Sequence, residues 1–178
     1  MLQSRYPELA STPSDINEHL PTFKRYAAQC NSVTELGVRN IVSLWAWLDS
    51  RVPTIRAYDL LQPPEENLRY AEAYAVENSI DFKFTQADVL HIILEPTDLL
   101  FIDTWHVYPQ LTQELKLHGE TARKFMMFHD TTLYDRSGED GSARGLQDAL
   151  DEFLLETDSW RVLEKFTNNN GLTVLERI

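Results

Sequence analysis

Four aspartates stand at or near the ends of apolar stretches: Asp59 in TIRAYDL (54–60), Asp88 in DFKFTQADV (81–89), Asp103 in DLLFID (98–103) and Asp130 in KFMMFHD (124–130). Acids at four such ends are more than a purely structural edge requires. His106 follows Asp103 by three residues, so a helical turn there would put the two side chains on one face. An imidazole has an ordinary pKa of about 6.5, close to working pH, which makes His106 a candidate for taking a proton from a substrate group. The plainer readings stay open: a lone histidine is more often structural, and Asp103 could simply cap the next helix. Gly37 closes a fifth stretch, VTELGV (33–38), where a tight turn into a helix suits glycine.

The hydrophobic pattern shows which elements must position these residues. Residues 1–14, with Pro7 and Pro13, read as a loose lead-in, and 14–30 as a helix that starts at Ser14 and Asp15 and is split or restarted at Pro21. Residues 33–38 form a strand. Residues 40–51 are apolar at helical spacing through Ile41, Leu44, Trp45 and Leu48. Strands follow at 54–60, 81–89, 98–103 and 124–130, separated by helices at 63–79 and 109–119. The run 98–103 is continuous, as in a strand buried on both faces. Residues 131–145 carry the Gly, Ser and Asp of a long loop, expected to cover a pocket. A helix at 145–159 and two strands around a turn at 168–171 close the chain. This alternation gives an α/β fold: a doubly wound, mostly parallel seven-stranded sheet with a C-terminal antiparallel hairpin, in three layers. The division is 1–30 as lead-in and helix, and 31–178 as the main domain. Ligands in such sheets bind at the carboxyl ends of the strands, where the strand order reverses.

Composition narrows the partners. The chain has 178 residues, 43% of them hydrophobic, and a net charge of −12. That field repels phosphate backbones and anionic lipid, so neither a nucleic acid nor a membrane is an expected partner. A single cysteine, Cys30, excludes an internal disulfide and a cysteine-based zinc site, and reads as a small apolar helix residue. No window reaches the roughly 18 apolar residues of a membrane span, and the first fifteen residues lack a basic start followed by an apolar run, so a cytoplasmic location is expected. A homo-oligomer is compatible with all of this.

Four short motifs in order resemble the class I S-adenosylmethionine-dependent methyltransferases, which share a Rossmann-like sheet. They are ELGVRNIVS (35–43), FIDTWHVY (101–108), His129-Asp130-Thr131, and NGLTVL (170–175). Within that class they look most like the small-molecule and sugar O-methyltransferase branch that also holds cephalosporin-hydroxylase-like proteins. The resemblance covers about residue 30 to the end. Two positions depart from it: Ile41 stands at the second glycine of the first motif, and Thr104 at the glycine after the fourth-strand aspartate.

The resemblance implies roles. S-adenosylmethionine would lie against Gly37, with Glu35 accepting from its ammonium group, Asp59 from both ribose hydroxyls, Asp88 from the adenine amino group, and Asp103 next to the methyl group. His106 would take the proton of a hydroxylated small-molecule substrate, of sugar or natural-product type, as its oxygen attacks the methyl sulfonium. Asp130 would end the strand beside that of Asp103. Two close carboxylates repel unless a cation lies between them, so Asp103 and Asp130, with Thr131 adding an oxygen, would hold Mg²⁺. Trp105 is the best candidate for stacking on a ring, while Trp45 fits the core better. The competing reading is a catalytically inactive methyltransferase fold serving as a binding or interaction module. Ile41 motivates it, and so do residues 1–30, which offer little to close over a substrate. A dehydrogenase binding a nicotinamide dinucleotide is a weaker third reading, because the chain has no G-x-G-x-x-G.

Overall fold

The apolar run that ends at Asp103 is the middle strand of the sheet. In the computed structural model, which describes residues 1–178, the strands are β1 (Ser32–Leu36), β2 (Thr54–Asp59), β3 (Asp81–Gln86), β4 (Thr97–Ile102), β5 (Ala122–His129), β6 (Trp160–Phe166) and β7 (Leu172–Arg177). Their order is β3-β2-β1-β4-β5-β7-β6. The first five are parallel, and β7 runs antiparallel to both β5 and β6. The order therefore reverses between β1 and β4, at the centre of the sheet. The fold class expected from the alternation is the one observed.

The helices are α1 (Tyr6–Ser11), α2 (Leu20–Ala27), α3 (Leu44–Asp49), α4 (Glu65–Glu77), α5 (Tyr108–His118) and α6 (Leu146–Glu156). Side chains alternate across a strand, and β4 uses both faces. Leu99 and Phe101 enter a core with Phe23 of α2, Trp45 and Trp47 of α3 and Tyr74 of α4. Leu100 and Ile102 enter a second core with Leu111 and Leu115 of α5 and Leu146 and Leu150 of α6. All six residues of β4 are buried, including Asp98, whose carboxylate accepts from the Asn31 amide and faces Lys124. Trp45 belongs to the core, and so does Cys30, whose thiol burial pushes up to about 12.

Three boundaries differ from the sequence reading. The lead-in contains helix α1, started by Pro7 in its first turn, where proline's missing N–H costs nothing. Pro21 restarts the next helix as expected, after a 3-10 turn at Asn17–His19. The helix expected at 40–51 begins only at Leu44, because Arg39 and Ile41 both have positive φ and residues 38–41 turn instead. Strand β3 stops at Gln86, and Asp88 caps a 3-10 turn at Val89–His91.

Glu35 ties β1 to α3. It has no exposure, and its oxygens accept from the Ser43 hydroxyl and, at 2.7 Å, from Trp47 Nε1. Burial pushes its carboxyl up from 4.5 to about 8, against the pull of those two hydrogen bonds. Between these values the folded chain holds a proton that the unfolded chain has released. Stability therefore falls as pH rises through that window. Glu35→Gln keeps the shape and removes the titration. Urea unfolding near pH 6 and near pH 9 should show wild type losing on the order of 3 kcal/mol more than the variant; equal losses would mean that Glu35 stays ionised when folded.

Candidate active site

The carboxyl ends of β1, β2, β4 and β5, with the turn after β3, open onto one cavity of about 730 Å³ at the reversal of strand order. Gly37, Asp59, Asp88, Asp103, His106 and Asp130 line it. Glu35 and Thr131 do not. Glu35 reaches the cavity only through Ser43, which is part of the lining. Thr131 is buried behind it and accepts a hydrogen bond from Thr173 Oγ1 at 3.0 Å. Thr131 is thus withdrawn from the expected cation ligands.

The turn after β1 is held by Asp59. One of its oxygens accepts from the amides of Val38 and Arg39 at 2.8 and 2.9 Å, and the other from Leu61 at 2.9 Å. A carboxylate has about four acceptor positions. Three are therefore taken by backbone, which leaves room for one hydroxyl rather than the two expected. Ile41 has φ +65, so the position keeps a glycine-like conformation while carrying a branched side chain. That side chain is 1% exposed and packs into the core, so it does not crowd the cavity. Asp88 accepts from the Leu90 amide and from His91, which leaves about two acceptor positions for a ligand.

Around His106 the charges converge. Its Nε2 lies 3.2 Å from Asp103 Oδ1 and 2.9 Å from Asp130 Oδ2, and its Nδ1 lies 3.1 Å from Glu139. The ring stacks on Tyr134, with centroids 5.0 Å apart. Burial disfavours the charged imidazole, but Asp103 and Asp130 outweigh it and raise its pKa to about 10. His106 is therefore a cation at neutral pH, against the expectation of a titrating base. Asp103 shows the reciprocal effect. Burial would raise its carboxyl, but the hydrogen bonds of His106 and His129 hold it well below the ordinary carboxylate range.

The strand-end residues bring in a partner that spacing did not single out for this cluster. His129 is 2% exposed, and its Nδ1 stands 3.4 Å from Asp103 Oδ1 and 3.5 Å from Asp130 Oδ1. One donor atom each from Asp103, His129 and Asp130 lie within 4.8 Å of one another. Asp130 Oδ1 is buried and accepts no hydrogen bond. An acceptor left so is costly, and a cation would satisfy it. The donor set of Asp103, His129 and Asp130 fits a divalent ion on that ground.

Two segments sit differently from the sequence expectation. The loop 131–145 does not cover the cavity; it packs behind His106, where it supplies Tyr134 and Glu139. The cover comes from the N-terminal segment, as Ser14, Asp15 and Ile16 line the cavity and Asp15 pairs with Arg39 at 2.8 Å. Asn169, in the turn between β6 and β7, fixes that segment. Its side chain accepts from the Glu18 amide and donates to the Ser14 carbonyl, and its own carbonyl accepts from His19 and His129. The run of three asparagines before Gly171 was the only sequence signal for it.

The lining carries five aspartates, 15, 59, 88, 103 and 130, against the single guanidinium of Arg39 and the two histidines His106 and His129. Such a cavity favours a cationic ligand over a diphosphate. Trp105 is 55% exposed at its edge, where Leu60 and Leu61 are also exposed. No helix is long and apolar enough to cross a membrane.

No protein-family model matches the chain, and no curated protein matches its sequence. Solved structures do match. The O-methyltransferase TomG of Streptomyces achromogenes, involved in tomaymycin synthesis and solved with S-adenosylmethionine, superposes with a TM-score of 0.62 at 12% identity, over 99% of this chain and 91% of that one. An O-methyltransferase of Bacillus cereus in complex with S-adenosylhomocysteine gives 0.59 at 10% identity, over 100% and 92%. A ribosomal protein L11 methylase of Lactobacillus delbrueckii subsp. bulgaricus gives 0.58 at 14% identity, over 90% and 79%. These similarities and the strand order establish that the chain has the fold of the class I S-adenosylmethionine-dependent methyltransferases.

Proposed function

We propose that this protein transfers a methyl group from S-adenosylmethionine to a hydroxyl of a small molecule of sugar or natural-product type. The observation that carries the reading is the acidic cavity at the reversal of strand order, in a fold whose solved examples include cofactor complexes. S-adenosylmethionine brings a sulfonium and an ammonium, both cationic, and five aspartates suit them. The same acids oppose the diphosphate of a nicotinamide dinucleotide. A volume of about 730 Å³ lies in the range of small-molecule sites. Two observations weigh against an inactive binding module: Ile41 packs into the core, and residues 14–16 line the cavity.

In this reading Gly37, Asp59 and Asp88 hold the cofactor, Asp59 taking one ribose hydroxyl and Asp88 the adenine amino group. Asp103 would lie next to the methyl group, and holding the hydroxyl in line with it would supply much of the rate. A divalent ion held by Asp103 and Asp130 would polarise the hydroxyl and offset the charge of the two carboxylates. With the charge of the carboxylates offset in this way, His106 would first release its Nε2 proton to solvent, and the neutral imidazole could then accept the substrate proton at the same atom. Glu139 and Tyr134 keep the ring in place throughout. Trp105, exposed at the edge of the cavity, would stack on the ring of the acceptor.

Calorimetric titration with S-adenosylhomocysteine tests the cofactor. Wild type should bind in the micromolar range and Asp59→Ala at least about tenfold more weakly; a wild type that does not bind sinks the reading. His106→Ala should bind S-adenosylhomocysteine within about threefold of wild type but lose about a hundredfold or more in kcat on any hydroxylated acceptor found by screening. For that acceptor, Trp105→Ala should raise KM about five- to tenfold with little change in cofactor affinity. An unchanged KM would remove Trp105 from the substrate site.

A further inference from the structure

We infer that His129 completes the cation site formed by Asp103 and Asp130, and that it makes the site selective for Mn²⁺, Co²⁺ and related transition ions over Mg²⁺. This rests on the reading that the paired aspartates hold a cation, and it changes both the third ligand and the class of metal.

The tautomer of His129 follows from its surroundings. Its Nε2 lies 3.1 Å from the Asn169 carbonyl, which can only accept, so Nε2 carries the hydrogen. In the metal-free protein Nδ1 carries a second hydrogen toward Asp103; an incoming ion would displace that proton and take the lone pair of Nδ1, the atom that faces Asp103 and Asp130. A backbone carbonyl on the far ring nitrogen is the usual support of a metal-bound histidine. The donor separations of 3.4 and 3.5 Å also fit. Ligand atoms about 2.1 Å from a common ion are about 3.4 Å apart at the tetrahedral angle and about 3.0 Å at a right angle.

Backbone strain shows that the arrangement is specific. Consecutive strand residues point to opposite faces, so His129 and Asp130 would not meet at one spot in regular geometry. Asp130 has φ +60, a left-handed conformation that costs a non-glycine residue about 1 kcal/mol or more. That turn directs both side chains at Asp103. The buried Oδ1 of Asp130, without a hydrogen bond, is the acceptor it leaves for an ion.

The imidazole decides the metal class. Mg²⁺ takes oxygen ligands in near-octahedral geometry and keeps several waters. Imidazole suits the transition ions, whose affinities for a mixed nitrogen and oxygen set rise along the first row. Thr131, the oxygen donor that would have suited Mg²⁺, is committed to Thr173.

The test uses the whole chain, freed of metal by a chelator, titrated calorimetrically with MgCl₂, MnCl₂ and CoCl₂. We expect Mn²⁺ and Co²⁺ to bind at least about thirtyfold more tightly than Mg²⁺. His129→Gln should lose about tenfold or more in Co²⁺ affinity while Mg²⁺ changes less than about threefold, and Thr131→Val should leave all three unchanged. If His129→Gln does not fold, wild type still decides, because bound Co²⁺ should give a hyperfine-shifted, exchangeable imidazole N–H resonance. Equal affinity for Mg²⁺ and Co²⁺, no binding of any ion, or absence of that resonance overturns the inference. S-adenosylhomocysteine binding is measured in parallel. Cofactor binding without Co²⁺ selectivity would refute this proposal alone, and Co²⁺ selectivity without cofactor binding would refute methyl transfer while leaving the metal site standing.

Discussion

Nothing fits between Gly37 and Asp103. A Cβ at residue 37 would overlap the carbonyl oxygen of Asp103, so only glycine lets the ends of β1 and β4 lie side by side. Gly37 also has φ +87, which turns the chain away from the sheet at once. This contact lies where the strand order reverses, and the rest of the site depends on it. The turn it starts delivers the amides of Val38 and Arg39 to Asp59, which locks β2 to β1. Asp103 stays at the floor of the cavity instead of being displaced by a side chain. The glycine therefore acts first on the protein's own backbone; the space it leaves for a cofactor is a consequence of that close approach.

The second constraint is electrostatic. The register of β4 and β5, Ile102 beside Phe128, sets Asp103 beside His129, and the left-handed turn at Asp130 brings its carboxylate to the same spot. Two carboxylates so placed repel, and the protein answers with imidazoles. His106 is held between them and by Glu139, while His129 approaches from below, supported by Asn169. The contact that raises the pKa of His106 also lowers that of Asp103, so these two titrate as a pair rather than as independent groups. A histidine chosen for its ordinary pKa becomes, in this surrounding, a resident cation.

The fold was legible because strands and helices write their period into the chain. DLLFID has no polar face before its last residue except Asp98, and it became the buried central strand; the acids at the strand ends did gather at one cavity. What was not legible depends on where a side chain points after the regular structure stops. Thr131 is adjacent to Asp130, yet a single left-handed residue sends one toward Asp103 and His106 and the other toward Thr173. Ile41 looked like an obstruction because its type departs from the motif, but its backbone conformation does not, and that turns the branch inward. The loop 131–145 had the composition of a cover and the wrong location. Residues 14–16 had no such composition, and only contacts about 150 residues away along the chain, through Asn168 and Asn169, place them over the cavity.

Strain is distributed with the same logic. Seven non-glycine residues have positive φ. Arg51 and Ser79 come two residues after α3 and α4, where a left-handed residue is an ordinary way to stop a helix. The other five lie in the turn after β1 (Arg39, Ile41), just past β5 (Asp130) and in the turn between β6 and β7 (Asn169, Asn170). Each costs of the order of 1 kcal/mol, and asparagine tolerates the conformation better than isoleucine does. A sheet buried on both faces by two apolar cores can carry that cost. The rigid strands set where the turns begin, and the unfavourable turns then decide which atoms meet: Gly37 against Asp103, His129 with Asp130, and Asn169 beneath both the histidine and the N-terminal cover.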